Sequence, residues 1–394
     1  METFTADLRK ASLATRAVFL VCGIALSGWA PMVPYVKDKL LLNDSEIGAL
    51  LLFLGVGAIV MMPATGWLIS RIGSRRVILL ATIIIAVTLP SLLLMDSPVR
   101  MGMMLFLFGA GIGSVDVAMN AHGVQVQNLS GKPVMSSLHG LFSVGGLLGP
   151  VLVLFLLKMD FQPVTSLLML SVLLVLIVSG QSGNLMSFRT EKEVIRQYSS
   201  GKAEEKQKPA SWLSTRVLFL GTMCFIVFLS EGAVLDWSAI FLRDYKGMDE
   251  AFLALGYAAF SIAMAFMRLI GDRLVSRMHS RKVILAGSLA AASGFLVLIA
   301  TPWIASALLG FVLIGLGAAN IVPVFFSEAG QIKNVPGTAA LAAVTTIGYA
   351  GQLAGPALLG VIAEETSLSV ALGFTGALML VVALSHLSEK RNPG

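Results

Sequence analysis

A carboxylate, an amide and an imidazole lie close together in the stretch Phe108–Gln127, inside an apolar run long enough to cross a lipid bilayer. Asp116 is followed four residues later by Asn120, and His122 comes two residues after that. An ionisable side chain at such depth is costly unless it meets a partner or water, so it marks a candidate functional site. Asp116 and Asn120 share one helix face, and this pairing indicates proton exchange or binding of a polar ligand. An aspartate satisfied by hydroxyl and backbone groups of neighbouring helices is the alternative interpretation.

The composition indicates a membrane protein. Of the 394 residues, 56% are hydrophobic and 13% charged, whereas soluble domains have about 25% charged residues. The basic residues behind the net charge of +6 lie in short loops between apolar runs, a distribution that positive-inside topology explains better than nucleic-acid binding. Cys22 and Cys224 lie in different apolar segments, so neither a zinc site nor a disulfide framework is indicated.

The apolar runs predict an all-α membrane protein with twelve transmembrane helices of about 18–25 residues each. The eighth span is predicted over residues 250–271 and the tenth over residues 303–326. With both termini cytoplasmic, the inner segments hold 21 of the 28 Lys and Arg residues and the outer segments hold six. The remaining one, Arg268, falls inside the eighth span. This asymmetry predicts cytoplasmic N- and C-termini.

A long polar segment divides the chain into two halves. Residues 182–212 carry mixed charge and predict a solvated, partly helical or mobile cytoplasmic linker without chemistry of its own. The segments on either side, residues 1–181 and 213–394, each contain six predicted spans. We therefore expect an N-terminal and a C-terminal six-helix bundle.

An internal repeat shows that the two halves are homologous. Leu68–Leu79 and Leu274–Leu285 are identical at eight of twelve positions, at an offset of 206 residues. The same offset pairs Pro150 with Pro356. Because the offset covers six spans plus the linker, both halves have the same orientation in the membrane. This arrangement predicts a substrate site near the midplane and transport by rocking of one half against the other.

The stretch Gly66-Trp-Leu-Ile-Ser-Arg-Ile-Gly-Ser-Arg-Arg76 resembles the cytoplasmic signature of the major facilitator superfamily. The resemblance covers essentially the whole chain and implies a twelve-helix fold. It also implies a gating role for this turn and for its counterpart in the second half. Ser70 stands where the family usually has an aspartate, and Asp272, at the place of Gly66 in the second half, is a candidate replacement. A role in topology alone is the alternative for the basic residues. The candidate gating residues are Gly66, Arg71, Gly73, Arg75, Arg76, Asp272 and Arg277.

Within that superfamily, Asp116-Val-Ala-Met-Asn120 is similar to a fourth-helix pattern of the fucose permease-like sugar/proton symporters. This resemblance implies that Asp116 binds a proton or a sugar and that Asn120 is its polar neighbour. Two further stretches, Leu138–Gly145 and Ser230–Trp237, look like a bacterial, mostly uncharacterised inner-membrane branch near those permeases.

Several other polar residues in apolar spans are candidates for substrate or proton binding: His139, Glu231, Asn320 and Gln352. A satisfied interfacial histidine and interhelical hydrogen bonding are the alternatives for His139 and for the two amides. Asp236 and Trp237 are predicted at an outer rim. Arg268, about one turn from the predicted cytoplasmic end of its span, either snorkels to the surface or forms an inner ion pair.

No catalytic set is present, because the chain has no phosphate-binding loop, no metal-ligand spacing and no nucleophile elbow. We therefore predict a monomeric secondary transporter, with no enzyme activity, cofactor or metal, in the bacterial inner membrane. Its expected partners are lipid, protons and a small polar, possibly sugar-like solute, and no nucleic acid. A proton/drug antiporter is the same-fold alternative, because Gly145–Pro150 is similar to a glycine–proline signature of those exporters. A non-transporting sensor or lipid-handling protein is the alternative from another class.

Overall fold

The computed structural model describes residues 2–42, 44–199, 214–249, 252–332 and 335–387, and the regular secondary structure in them is helical. Helices are expected here because backbone groups in lipid must bond within their own segment. Among these residues, eleven helical stretches are long and apolar enough to cross a membrane. The helix Leu255–Met278 falls outside that group, and it carries Arg268, Asp272, Arg273 and Arg277.

The chain forms two compact units. The first comprises residues 1–134, 141–214 and 329–346. Its helices include most of α6 (Met135–Lys158) and the first turns of α14 (Gly337–Glu365). The others are α1 (Glu2–Ser27), α2 (Val33–Lys39), α3 (Asp44–Ile72), α4 (Ser74–Leu92), α5 (Pro98–Ser130), α7 (Pro163–Ser182) and α8 (Phe188–Ser199). A 3₁₀ turn, Ala30–Met32, joins α1 to α2.

The second unit comprises residues 135–140, 215–328 and 347–394. It contains the first turn of α6 and the greater part of α14, so these two helices are each divided between the units. Its remaining helices are α9 (Thr215–Lys246), α10 (Leu255–Met278), α11 (Ser280–Ala300), α12 (Ile304–Ala318), α13 (Ile321–Ala329) and α15 (Leu368–Leu387).

Two spans differ from their predicted course in ways that matter for the site. The eighth span, α10, ends at Met278 instead of residue 271, because its charged last turns still continue the helix. The tenth span is interrupted between α12 and α13 at Ala319 and Asn320. This break leaves backbone carbonyls without intrahelical partners, which is the usual consequence of a helix end.

The sequence repeat extends to how the helices cross. In the first unit, a methyl group added at Gly109 of α5 would lie 1.9 Å from the carbonyl oxygen of Leu54 in α3. In the second, a methyl added at Gly315 of α12 would lie 2.3 Å from the carbonyl oxygen of Phe260 in α10. Both glycines and both partners are related by the same 206-residue offset. Small residues therefore set the same close backbone approach in each half.

The linker contains an ordered amphipathic helix, α8, at residues 188–199. Val194 and Glu191 are buried on its inner face, whereas Lys192 and Glu193 are exposed. The prediction of a partly helical connector applies to this part, and residues 200–212 of the predicted linker lie outside the described residues. The burial of Glu191 and Val194 shows that α8 is packed along one face and is not solvated all round.

Candidate functional site

Asp116 lies near the middle of the 33-residue helix α5 and is 4% exposed. Asn120, one turn further on, donates its side-chain amide to the backbone oxygen of Asp116 at 2.9 Å and to the Oδ1 atom at 3.4 Å. The Oδ2 atom of Asp116 has no hydrogen-bond partner among the described residues. A buried carboxyl group in this state is suited to hold a proton or to accept a bond from a ligand.

Ser114, the hydroxyl residue nearest in sequence to Asp116, is bonded to another helix. Thr65 of α3 donates its hydroxyl to that of Ser114 at 2.9 Å. The explanation that Asp116 is satisfied by neighbouring hydroxyl groups therefore finds no support in the described contacts of Oδ2.

His122 has a structural environment that differs from that of Asp116. Its Nε2 atom accepts the backbone N–H of Met186 at 3.0 Å, so the neutral ring carries its proton on Nδ1 and donates it to the Thr15 hydroxyl at 2.9 Å. Thr15 in turn donates to the carbonyl oxygen of Ala11 at 2.7 Å. Both ring nitrogens are thus used to join α1, α5 and the segment before α8.

The turn between α3 and α4 presents its basic residues outward. Arg71 and Arg76 are exposed and Arg75 is half-buried, and the Arg71 guanidinium lies 5.3 Å from the centre of the Trp67 ring. Ser70 is exposed and donates its hydroxyl to the carbonyl oxygen of Trp67. Ser70 stands where the resembled signature usually has an aspartate, and in the contacts described for this turn no carboxylate of α3 replaces that aspartate.

Gly66 lies where α3 meets the beginning of α14, within the first unit. A methyl group added there would lie 2.6 Å from the Ala342 Cβ atom and 3.2 Å from the carbonyl oxygen of Thr338. The family-like glycine therefore permits a close approach to the first turns of another helix.

In the second unit, Glu231 and Arg268 form a largely buried ion pair. The Oε1 atom of Glu231 and a guanidinium nitrogen of Arg268 are 3.2 Å apart, and their side chains are 17% and 7% exposed. Arg268 also donates through Nε to the carbonyl oxygen of Ala319 at 3.1 Å. That carbonyl lies at the break between α12 and α13, so Arg268 satisfies an end that the interrupted helix leaves open.

Arg268 thus forms the inner ion pair, one of its two predicted alternatives. Because α10 continues to Met278, Arg268 lies ten residues from the helix end instead of about one turn. At this depth, the side chain of Arg268 pairs with a carboxylate inside the second unit.

Asn320 occupies the break itself. Its amide nitrogen lies 3.4 Å from the carbonyl oxygen of Met267, and its Oδ1 atom is buried without a hydrogen-bond partner among the described residues. Gly271 of α10 approaches closely, since a methyl group there would lie 2.0 Å from Asn320 Oδ1. Asn320 is therefore held beside Arg268 with one acceptor still available.

The first turn of α6 carries His139, and its backbone contacts Asp272 of α10. Asp272 accepts the backbone N–H of Ser137 at 3.2 Å, and a carboxylate at a helix N-terminus is favoured by the helix dipole. The His139 ring is buried and meets the Phe326 ring edge-on, with 5.7 Å between ring centres. Phe326 in turn contacts Phe228, which packs against Tyr349.

The other predicted residues of the second unit have separate positions. Gln352 is half-buried opposite Gly232, where an added methyl group would lie 3.4 Å from the Gln352 carbonyl oxygen. Asp236 is exposed, Trp237 is half-buried near Gly360, and Arg277 is exposed. The structure thus pairs Glu231 with Arg268, places Asn320 next to the carbonyl group that Arg268 binds, and leaves Asp236 and Arg277 at the surface.

Two features were missed by sequence reasoning. The aromatic residues around His139 gave no signal, since phenylalanine and tyrosine are common in apolar spans. The buried contact of Glu191 had one, because Phe188, Glu191 and Val194 recur at intervals of three on one face of α8. In the described residues, no group of three or more His, Cys, Asp or Glu has the geometry of a metal site.

Comparison with known proteins identifies the fold and the family. The profile of the Major Facilitator Superfamily matches residues 17–332. An uncharacterised MFS-type transporter of Yersinia pestis is 42% identical over 382 residues, which are 96% of this chain and 96% of that protein. The structure is similar to that of FucP in an outward conformation, with a TM-score of 0.77, 15% identity and coverage of 96% and 98% of the two chains. The proton:xylose symporter XylE has a TM-score of 0.76 at 12% identity, with coverage of 98% and 96%. At these identities the two structures show the fold alone, and they confirm the predicted twelve-helix architecture.

Proposed function

This chain belongs to the Major Facilitator Superfamily, and we propose that it moves a small polar, sugar-like solute across the membrane by proton-coupled alternating access. Residues 1–181 and 213–394 would be the two halves that rock about the solute. A multi-pass membrane transporter follows from the family. Proton coupling and the class of solute are the proposed parts.

The state of Asp116 is the observation that carries the proposal. Its carboxyl group is buried in α5 with an oxygen that has no donor among the described residues. A permanently charged group in this position would lose several kcal/mol of solvation without a compensating partner. A group that takes up a proton in one state and releases it in another avoids that loss, and such cycling is what coupling requires.

The amide side chains among the candidate binding residues favour an uncharged solute with several hydroxyl groups. Asn120 next to Asp116, and Asn320 and Gln352 in the second unit, offer amide donors and acceptors. The positive charge of Arg268 is already balanced by Glu231. Of the structurally similar proteins, FucP is a fucose:proton symporter and XylE a proton:xylose symporter. Their sugars support the proposed solute class by analogy.

The remaining proposals concern setting and assembly. The excess of Lys and Arg in alternate loops supports cytoplasmic termini in a bacterial inner membrane. We propose a monomer whose partners are lipid, protons and the solute, with His139 and Glu231 as further solute or proton contacts. The α3–α4 turn, with Asp272 and Arg277, would control gating. The stretch from Gly145 gives no independent support for an exporter, because an added methyl there would lie 2.2 Å from the Leu20 carbonyl oxygen, which explains that glycine by packing.

Uptake by reconstituted proteoliposomes tests the proposal. A panel of labelled solutes is offered with and without an inward proton gradient, after a thermal-shift screen has chosen neutral sugars, amines and organic acids that stabilise the purified protein. We expect a neutral sugar or polyol to accumulate only with the gradient. Accumulation that persists after a protonophore collapses the gradient would contradict proton coupling, and accumulation confined to an amine or an acid would contradict the solute class.

A further inference from the structure

The linker helix α8 is attached to the first turn of α4 by a buried carboxyl group. Glu191 is 2% exposed, and its Oε2 atom accepts the backbone N–H of Ser74 at 2.9 Å. Ser74 is the first residue of α4, and Gly73 caps that helix without a side-chain bond of its own. One of the open donors at the start of α4 is therefore satisfied by a residue 117 positions later in the chain.

The shape of the α3–α4 turn is adapted to this contact. A methyl group added at Gly73 would lie 3.0 Å from the Phe188 ring and 3.2 Å from Glu191 Oε2. Val194 continues the buried face of α8, and α8 also packs against α5. The same turn carries Arg71, Arg75 and Arg76, so α8 packs against the turn that holds the basic residues.

The environment of the second carboxyl oxygen of Glu191, Oε1, determines how the contact depends on pH. Glu191 Oε1 and the Ser74 hydroxyl are both buried without a hydrogen-bond partner among the described residues. The N-terminus of α4 favours a negative charge at this place. A buried carboxylate with one donor for two oxygens is nevertheless poorly compensated, whereas a protonated carboxyl group keeps an acceptor and needs less compensation. Burial accordingly raises the pKa of Glu191, and the backbone N–H of Ser74 and its nearby hydroxyl group both oppose the rise.

The charged groups of the surrounding elements do not neutralise Glu191. On α8, the Lys192 ammonium lies over the Phe188 ring and Arg189 pairs with Glu193. In the described contacts, Glu191 forms no ion pair with these or with any basic residue of the α3–α4 turn. At this end of α5 the titratable group is His122, whose ring nitrogens are occupied by Thr15 and Met186.

We propose that α8 is a proton-sensitive clamp on the α3–α4 turn, held by Glu191 and released as the pH rises. In solution, a released Glu191 has its ordinary pKa, while in the docked helix its pKa is higher. The docked state therefore binds the proton more tightly. Docking is strongest below the ordinary pKa of a glutamate, about 4.3, and weakens as the pH rises through the docked pKa. Release of α8 frees the basic α3–α4 turn from the linker. The α8 helix is therefore a conformational switch that acts independently of the transported solute.

Hydrogen exchange of the purified full chain in lipid nanodiscs tests the clamp. Peptides covering α8 and residues 74–80 are followed from pH 5 to 8, and each rate is divided by that of a synthetic peptide of the same sequence at the same pH. For the natural chain we expect protection to fall with rising pH, by at most tenfold per unit, the limit for one proton. Glu191→Gln, which imitates the protonated form, is expected to show high protection at all pH values. Glu191→Ala is expected to show low protection at all of them.

The matched control is Glu193→Gln, an exposed residue of the same helix, which should exchange like the natural chain. Equal protection in Glu191→Ala and the natural chain would overturn the clamp. A pH-independent natural chain that matches Glu191→Gln would overturn its proton sensitivity. If Glu191→Ala fails to fold, the comparison of the natural chain with Glu191→Gln over the same pH range still tests whether the clamp responds to protons. These exchange rates need no solute, so a negative result would leave the transport proposal standing.

Discussion

Gly73 and His279 have the same rare backbone conformation at equivalent places in the two halves. Their φ and ψ angles are 84° and 157° for Gly73, and 65° and 150° for His279. Each residue caps the following helix, α4 or α11, and they are 206 positions apart. This region is open to glycine and strained for residues with a Cβ atom, by about 1–3 kcal/mol. The two halves share the shape of this turn although the second half has a histidine where the first has a glycine.

His279→Gly should therefore stabilise the protein. Relief of strain outweighs the extra flexibility of glycine in the unfolded chain, which is about 0.5–1 kcal/mol. His279 is exposed, so few contacts are lost. We expect a gain of about 1 kcal/mol, measured as a rise in the apparent melting temperature in detergent. A lower melting temperature would show that the imidazole makes a contribution larger than the strain.

Gly73→Ala should have the opposite effect. The added methyl group would adopt the strained conformation and also lie 3.0–3.2 Å from Phe188 and Glu191. The expected loss is about 1–3 kcal/mol. Gly131→Ala is the milder reference, because Gly131 also has a positive φ, 62°, but lies in the left-handed helical region with ψ 15° and has open space around its Cβ position. If both variants lose equally, the contact with α8 adds nothing to the backbone effect.

The sequence was sufficient to predict the features that are encoded by hydrophobic periodicity and by the internal repeat. Helical spans and a buried Asp116 one turn from Asn120 follow from local patterns, because each depends on residues close together in the chain. The two homologous halves follow from comparing the chain with itself at a constant offset. The partners of Arg268 and Glu191 could not be predicted in this way. Arg268 meets a carboxylate 37 positions away, at a depth that depends on where α10 ends, and Glu191 meets a backbone N–H 117 positions away. Such contacts depend on the packing of several helices, which a single sequence does not specify.

Asp116→Asn should fold normally and lose proton-driven accumulation. The amide has nearly the same size as the carboxyl group and removes a buried ionisable group, so thermal stability should be unchanged or higher. Downhill exchange of solute across the membrane should continue, because it needs no net proton movement. Asp96→Asn is the control, since Asp96 is exposed and paired with Arg100 at 2.8 Å. Undiminished uphill transport by Asp116→Asn would place the proton site elsewhere, with Glu231 the next residue to test.

Arg71→Ala should slow transport several-fold while solute binding in detergent changes by less than about twofold. Arg71 is exposed on the α3–α4 turn and contacts Trp67, so its loss affects the turn instead of the buried polar groups of α5. Rates from stopped-flow uptake and affinities from calorimetry separate the two effects. Arg100→Ala, which removes another exposed arginine, is the control. A large loss of affinity in a folded Arg71→Ala protein would assign Arg71 to solute binding.

The Glu231–Arg268 pair should show strong energetic coupling. Removing one partner, by Glu231→Gln or Arg268→Met, leaves the other charge buried and is expected to cost about 3 kcal/mol. The double variant should recover the part of that loss that comes from the unpaired charge, but not the hydrogen bond from Arg268 to the Ala319 carbonyl oxygen. Arg216 and Glu328 provide the comparison: their pair is shorter, at 2.9 Å against 3.2 Å, but its side chains are 41% and 28% exposed. Exposed pairs contribute about 0–1 kcal/mol, so burial and not distance should decide which cycle shows the larger coupling. Denaturant titrations of the two double-mutant cycles in detergent measure both couplings. Equal couplings would mean that water reaches Arg268 freely, and the pair would then be excluded as a buried element of the transport site.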